Sequence, residues 1–262
     1  MHFVKKETLM KKLIYLFVLF FSMANAEEID LSGYEKLLYS KHGEDGIIAR
    51  IFELIGPKYR YCVDIGANDG ITSSNTYLLR LQGWNSALFD RTHEKIAFKL
   101  YKELITADNV NEIFEKYNVQ PNIDFLSIDN FNEFYIWKNL DETYKPRVVL
   151  IKYNATHPPT VDCVAKYRPY YFGDGTNYFG ASILALYNLG RLKGYSLVYA
   201  ESIGMNLFFI RDDVLEEKNL HFKNMNDVEK IYRFPAYANG PNGGYRQDPK
   251  ARAYLTSSEA LK

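Results

Sequence analysis

The chain has 262 residues, enough for one large α/β domain or two small ones. Hydrophobic residues make up 47% of the chain, which is ample for a core. The two cysteines, Cys62 and Cys163, are too few for a disulfide framework or a zinc site, although one disulfide bond between them stays possible. Acidic and basic residues balance at 32 each, which argues against nucleic acid or an anionic membrane as a partner unless a basic patch is local.

The first 26 residues have the pattern of a signal peptide. Four lysines precede an apolar run at 13–21, which is too short for an ordinary membrane span, and Ala24-Asn25-Ala26 forms a cleavage site. The sequence therefore predicts export, with an uncleaved N-terminal anchor as the alternative. No later stretch is long and apolar enough to span a bilayer. A domain at 27–234 and a loosely ordered tail at 235–262 would follow the signal peptide.

Strands and helices alternate along the predicted domain, which is typical of βαβ units and a parallel sheet. A short helix and a Gly-Glu-Asp-Gly turn come first, and the last two strands are predicted to form an antiparallel pair at the sheet edge. The segment 157–180, rich in proline, tyrosine and glycine, is expected to cross the ligand face of the sheet. The predicted strands are 60–65, 86–90, 124–129, 147–153, 195–200 and 206–211, and the predicted helices are 45–55, 73–82, 93–102, 110–117, 134–140 and 181–192.

The most informative stretch is 61–76, which reads YCVDIGANDGITSSNT. An apolar strand leads into a turn with two glycines, and a polar run then opens a helix, so backbone N–H groups are available to an anion. The spacing differs from the dinucleotide G-x-G-x-x-G pattern, and a D-x-G-x-N-x-G turn is the form seen in S-adenosylmethionine (SAM) methyltransferases. The alternative is an ordinary strand–turn–helix connection. The predicted cofactor-binding residues of this turn are Asp64, Gly66, Ala67, Asn68 and Gly70.

Acidic side chains follow other predicted strands, at the sheet edge where α/β proteins bind ligands. Asp90 can accept both hydroxyls of an adenosine ribose, and Asp129 can face the methionine part of a cofactor or the substrate. Glu44, in the turn ahead of the first strand, can hold a cofactor amino group. Each of these acids could instead cap the helix that follows it.

The stretch 153–159 is the best place for substrate chemistry in this sequence. Asn154 can orient a ligand amide or hydroxyl, and His157 could act as a general base near neutral pH. Asp129 is the other candidate for the catalytic base. The alternative for this stretch is a polar loop with an exposed histidine.

From about 40 to 214 the chain resembles the FkbM-type family of SAM-dependent methyltransferases. The resemblance implies a Rossmann-like class I methyltransferase sheet with seven mostly parallel strands and an antiparallel C-terminal strand. It also implies SAM as cofactor and methyl transfer to an oxygen of a sugar or other small metabolite. By position, Asp64, Gly66, Asn68 and Gly70 would line the SAM site, and Asp90 would take the ribose. The stretches that carry the resemblance are 41–56, 63–79, 124–129, 135–140, 148–159, 178–198 and 204–215.

Some residues depart from that family pattern. Only 33 residues separate Asp90 from Asp124, and the one trace of a strand between them is 102–106, so the loss of one strand stays open. Lys152 stands where the family usually has an acid, and the positions after Asp129 lack the second acid and the glycine. The rival hypothesis is therefore an exported, non-catalytic binding module on the same fold, recognising glycan through its many tyrosines.

Overall fold

The computed structural model describes residues 28–262, so the predicted signal peptide lies outside the described residues. Within this range the chain forms one seven-stranded β-sheet. Its strands, in chain order, are β1 (Tyr61–Ile65), β2 (Asn85–Asp90), β3 (Leu100–Lys102), β4 (Phe125–Ile128), β5 (Val148–Lys152), β6 (Tyr195–Ala200) and β7 (Asn206–Arg211).

The strands lie in the order β3-β2-β1-β4-β5-β7-β6. The pairs β1–β2, β1–β4, β2–β3 and β4–β5 are parallel. β7 is antiparallel to both of its neighbours, β5 and β6. This arrangement confirms the predicted α/β fold, a Rossmann-like sheet that is mostly parallel and has an antiparallel C-terminal strand.

Helices cover both faces of the sheet. One apolar cluster, which includes Phe89, Trp137 and Phe209, joins one face to the helices at 110–116, 133–139 and 183–193. A second cluster, which includes Ile51 and Phe208, joins the other face to the helices at 44–55 and 212–218. Across residues 28–262, none of the helices has both the length and the apolar character needed to cross a membrane. The helices are α1 (Glu44–Ile55), α2 (Tyr77–Leu81), α3 (Val110–Lys116), α4 (Glu133–Asn139), α5 (Ile183–Lys193), α6 (Asp212–Lys218), α7 (Val228–Ile231) and α8 (Ser257–Ala260).

No strand of the sheet is missing, which answers the question raised by the short interval after Asp90. That interval holds a 3₁₀ turn at Ile96–Phe98, then β3, which pairs in parallel with β2, and then α3. The predicted helix over 93–102 and the strand trace at 102–106 are therefore wrong. Lys99 ends the turn with a φ of 51°, and Leu100 is fully buried against Ala67 and Leu88. Three residues are too few for a strand period to show in the sequence.

The segment before α1 also differs from the prediction, because the expected short helix does not form. The carboxylate of Asp45 accepts hydrogen bonds from the backbone N–H groups of Leu38, Tyr39 and Ser40 at 2.6–3.2 Å. A side chain that takes these donors competes with the helical hydrogen-bond pattern. Leu37 and Leu38 are consequently 71% and 59% exposed rather than packed on a helix face.

Residues 235–262, predicted to be loosely ordered, instead pack along the domain. Leu255 and Val164 exchange backbone hydrogen bonds of 2.9 and 2.7 Å, and the hydroxyl of Tyr254 donates to the carbonyl oxygen of Asn177 at 2.6 Å. α8 then begins with a capping box formed by Thr256 and Glu259. Ala260 also belongs to the apolar core, and Leu255 and Leu261 pack against that core.

The two cysteines are buried as separate free thiols, so the bridge that the sequence left open does not form. Cys62 lies in β1 within the same apolar cluster as Phe125. Cys163 is buried outside the apolar clusters, and its backbone N–H donates to the hydroxyl of Ser182 at 3.2 Å. Burial raises the pKa of both thiols, which keeps them protonated.

A buried ion pair ties together the amino-terminal ends of the central strands. Asp124, just before β4, is fully buried, and its Oδ1 lies 2.9 Å from Nη1 of Arg147, just before β5. The carboxylate also accepts hydrogen bonds from the backbone N–H groups of residues 58–60 at 2.7–3.2 Å. Arg147 donates in turn to the carbonyl oxygens of Ile55 and Gly56. One pair of side chains therefore joins the end of α1, the entry to β1 and the starts of β4 and β5.

We expect Asp124→Ala to lower the free energy of unfolding by about 3–5 kcal/mol, because it leaves the Arg147 charge buried without a partner. The exposed pair Glu142–Lys145, with Glu142 85% exposed, offers a matched control. Glu142→Ala should change stability by less than about 0.5 kcal/mol. Urea unfolding followed by circular dichroism measures both. Similar, small losses in the two variants would contradict the structural role assigned to Asp124.

Candidate functional site

A small cavity lies at the carboxyl ends of the central strands, where the sheet order reverses around β1. In open α/β sheets this switch point is where ligands bind. The cavity has a volume of about 160 Å³. It is walled by residues at or after the ends of β1, β2, β3 and β4 and by two aromatic residues from the long segment after β5: Ile65, Gly66, Phe89, Asp90, Arg91, Glu103, Leu104, Ile105, Asp129, Asn130, Phe131, Tyr171 and Phe172.

The glycine turn after β1 forms the floor of the cavity. Gly66 has a φ of 87°, and a Cβ there would collide with the backbone carbonyl oxygen of Asp129, so only glycine lets β1 and β4 approach this closely. The N–H groups of Gly66 and Ala67 both donate to the carbonyl oxygen of Phe89. Gly70, with a φ of 73°, packs instead near Leu88, away from the cavity. The turn therefore packs closely against β2 and β4, and its first two N–H groups are already bonded and do not offer an open anion site.

Asp90 lines the cavity at the end of β2, as the sequence predicts for a residue near a ribose. Its Oδ1 accepts hydrogen bonds of 2.7–3.0 Å from the backbone and side chains of Thr92 and His93. Its Oδ2 accepts one bond, from the backbone N–H of Asn68 at 3.1 Å. Burial opposes the charge of Asp90, but the bonds from Thr92 and His93 outweigh it and lower the pKa. The carboxylate is thus ionised, with Oδ2 the oxygen better placed to accept a further bond.

Asp129 also lines the cavity, where it is paired with a buried lysine. Nζ of Lys152 lies 2.8 Å from Oδ1 of Asp129, and the side chain of Lys152 is only 11% exposed against 47% for Asp129. The same ammonium lies 4.7 Å from the centre of the Phe131 ring. Burial disfavours the charge of Lys152, yet Asp129 compensates and the pKa of the lysine is raised. Lys152 therefore neutralises an acid of the cavity.

His42 lies near this pair, and the sequence did not single it out. Burial lowers its pKa, and the charges of Glu44, Asp129 and Lys152 all act on it. Glu44 itself is buried and accepts hydrogen bonds from the backbone N–H of His42 and from the side-chain amide of Asn206, both at 2.7 Å. Glu44 does not line the cavity, and its predicted role with a cofactor amino group stays a prediction.

Three further predicted residues lie away from the cavity walls. Asp64 is buried, its pKa is raised by burial to about 6, and it accepts a hydrogen bond from the hydroxyl of Thr76 at 3.0 Å. Asn154 donates its amide to the carbonyl oxygens of Asn177 and Phe179 at 2.7 and 2.9 Å. Burial lowers the pKa of His157 to about 4, and its ring packs edge-on against another aromatic ring. Their assigned roles stay predictions, but their contacts are structural.

Two aromatic side chains from the segment after β5 cover the cavity. The guanidinium of Arg91 lies 4.2 Å from the ring centre of Phe172, and that of Arg168 lies 3.5 Å from the ring centre of Tyr171. Tyr171 also meets Phe131 edge-on at 5.9 Å. The sequence predicted that this segment crosses the ligand face, but no local pattern distinguished Tyr171 and Phe172 from its other aromatic residues.

Glu133, at the start of α4, is a buried acid that the sequence analysis did not select. Its Oε1 accepts a hydrogen bond from the backbone N–H of Ala181 at 2.7 Å, while its Oε2 has no partner among residues 28–262. Burial raises its pKa to about 8. Glu133 thereby fixes the end of the segment 157–180 to α4. Its side chain is mostly protonated at neutral pH.

The walls of the cavity suit a nucleoside cofactor, but the volume does not in this conformation. Asp90 provides a carboxylate oxygen, and Phe89, Leu104 and Ile105 provide apolar surface on the same side. Pockets for small ligands measure about 300–1,000 Å³, well above the volume found here. SAM fits these residues only if the cavity widens.

Comparison with known proteins adds one structural likeness. No protein-family model matches the chain, and no curated protein is similar to it. The chain is similar to a solved structure of an O-methyltransferase family protein from Burkholderia thailandensis, at 11% sequence identity and a TM-score of 0.33. The match covers 64% of this chain and 56% of that one. A likeness this distant carries no functional argument. The strand order by itself defines the fold, a Rossmann-like sheet that is mostly parallel.

We expect Glu133→Gln to flatten the pH dependence of stability. An acid whose pKa rises from 4.5 to about 8 on folding stabilises the protein fully below the lower value, and this contribution is lost as the pH rises to about 8. Glutamine retains the acceptor for Ala181 and has no charge to bury. Between about pH 4.5 and about pH 8.5, the free energy of unfolding of the variant should therefore rise by about 1–4 kcal/mol relative to that of wild type.

Urea unfolding at both pH values measures this difference. Glu216→Gln, on an exposed position of α6, serves as the control. Parallel pH curves for wild type and Glu133→Gln would show that the carboxyl of Glu133 titrates normally.

Proposed function

We propose that this protein is a SAM-dependent methyltransferase of FkbM type, which transfers a methyl group to a hydroxyl of a small or sugar-like acceptor. The observation that carries the proposal is the cavity at the switch point of a methyltransferase sheet, with Gly66 beneath it and the carboxylate of Asp90 in its wall. In this site Asp90 would accept the ribose hydroxyls, and Phe89 and Ile105 would flank the adenine.

SAM would supply a methyl group activated by a sulfonium. The task left to the protein is to align an acceptor hydroxyl and to take up its proton. Of the two predicted bases, Asp129 lines the cavity and His157 does not. Oδ1 of Asp129 is held by Lys152, so Oδ2 is the atom that would receive the proton. The lysine would also hold this carboxylate in one orientation.

The predicted signal peptide adds a second part to the proposal, namely export to the periplasm or the medium, with an N-terminal anchor as the alternative. An exported enzyme requires SAM at its destination. This requirement separates the proposed methyltransferase from the rival, an exported binding module. Two observations favour the rival: the cavity of about 160 Å³ and the occupation of Asp90 Oδ1 by donors of its own loop.

Calorimetric titration of the purified protein with SAM and with S-adenosylhomocysteine tests the proposal. We expect binding that weakens at least about tenfold in Asp90→Ala, because a charge-assisted hydrogen bond contributes about 1.5–3 kcal/mol. Asp227→Ala, which removes a helix cap remote from the cavity, is the matched control. Absence of binding in the folded wild-type protein would overturn the methyltransferase assignment and support the binding module.

We also expect Phe172→Ala to increase the association rate of SAM, because it removes one ring that covers the cavity and releases Arg91. Stopped-flow measurement of tyrosine fluorescence gives the rate. Tyr170→Ala is the matched control, since Tyr170 is 77% exposed and does not line the cavity. Equal rates in wild type and Phe172→Ala would show that this ring does not limit entry.

A further inference from the structure

A larger hollow lies at the opposite end of the strands from the cavity. Its volume is about 620 Å³. Residues that begin β1 and β2 line it, whereas the cavity lies where those strands end, and the two sites share no lining residue. We call this hollow the tyrosine groove, after the four tyrosines in its wall, Tyr59, Tyr61, Tyr101 and Tyr117.

Contacts within the groove and with neighbouring residues hold three of these tyrosines in place. The backbone N–H of Tyr59 donates to the buried carboxylate of Asp124 at 2.7 Å. The hydroxyl of Tyr117 donates to Glu103 at 2.7 Å, and its ring stacks on that of Tyr101 with centres 4.0 Å apart. Tyr59 nevertheless stays 40% exposed. A surface that is ordered before binding loses less entropy when a ligand arrives.

Apart from Ala87, the rest of the groove wall is polar, and none of the residues that line it, all within 28–262, has a carboxylate. Amide side chains dominate, and each amide both donates and accepts hydrogen bonds. A single lysine provides the only formal charge. The polar lining residues are Asn85, Ser86, Lys99, Asn118, Gln120 and Asn122.

The backbone around the groove is strained at three positions. Arg60, Lys99 and Asn118 adopt left-handed φ values of 50°, 51° and 51°. A residue with a side chain pays an energetic penalty in this region, and such residues cluster at ligand clamps as well as in turns. In this protein they set the direction of the three chain segments that carry Tyr61, Tyr101 and the amides after α3.

We propose that the tyrosine groove binds a neutral oligosaccharide. Sugar hydroxyls both donate and accept hydrogen bonds, which matches amide and tyrosine side chains, and the apolar faces of pyranose rings pack on tyrosine rings. The near absence of charge in the wall excludes a polyanion such as nucleic acid as the fitting ligand. The volume lies within the range of about 300–1,000 Å³ found for ligand pockets. This site is separate from the proposed methyl-transfer site and does not depend on its activity.

Saturation-transfer NMR and calorimetry with maltotriose, cellotriose and triacetylchitotriose test the proposal on the purified protein. At least one of these trisaccharides should bind, and Tyr59→Ala should weaken the binding about fivefold by removing an exposed stacking surface. Tyr34→Ala is the matched control, because Tyr34 is 38% exposed and lies outside the groove. Tyr59→Phe, which retains the ring, should keep most of the affinity.

The outcomes separate this proposal from the methyltransferase assignment. SAM binding should be the same in wild type and Tyr59→Ala. Failure of all three sugars to bind to the folded protein would overturn the proposal, as would a loss of affinity that is equal in Tyr59→Ala and Tyr34→Ala. Sugar binding that Phe172→Ala alters and Tyr59→Ala does not would place the sugar in the cavity instead and would likewise overturn it.

Discussion

The carboxylate of Asp124 is the point on which the arrangement of the sheet depends. It is fully buried, pairs with Arg147 at 2.9 Å and accepts the backbone N–H groups of residues 58–60. A buried carboxylate with this many donors is stable, whereas the loss of either charge leaves the other one stranded in the interior. Because Arg147 also contacts the end of α1, the starts of β1, β4 and β5 are set relative to each other by one ion pair.

The two ends of the central strands are consequently built in different ways. At the amino-terminal end, side-chain charges hold the backbone and leave an open groove lined by tyrosines and amides. At the carboxyl end, β1 and β4 approach so closely at Gly66 that no side chain fits, and the resulting cavity is small and covered by Tyr171 and Phe172. The proposed cofactor site would therefore have to widen to admit SAM, while the proposed sugar site is open in the present conformation.

Much of the fold could be predicted from the sequence, because long elements carry a clear period. The strands at 61–65, 125–128 and 148–152 match their predicted positions within two residues, and so does the antiparallel pair at 195–211. β3 was missed because three residues show no period, and the segment before α1 was predicted to be a short helix because Leu37 and Leu38 continue the apolar spacing of α1. Within the candidate site, Gly66, Asp90 and Asp129 do line one cavity. Glu133 and His42 were missed because burial, not a motif, gives them their perturbed pKa values.

The sequence by itself determined the fold class, the glycine turn and the acids that end the strands, since each depends on residues close together in the chain. Only the tertiary structure decided what those groups contact. It paired Asp129 with Lys152, directed the amide of Asn154 to the loop at 177–179, and placed the half-buried His157 away from the cavity. Each of these outcomes depends on which distant segments meet in space. The local sequence pattern does not predict these contacts, because the hydrogen bonds and the desolvation involve residues that are far apart in the chain.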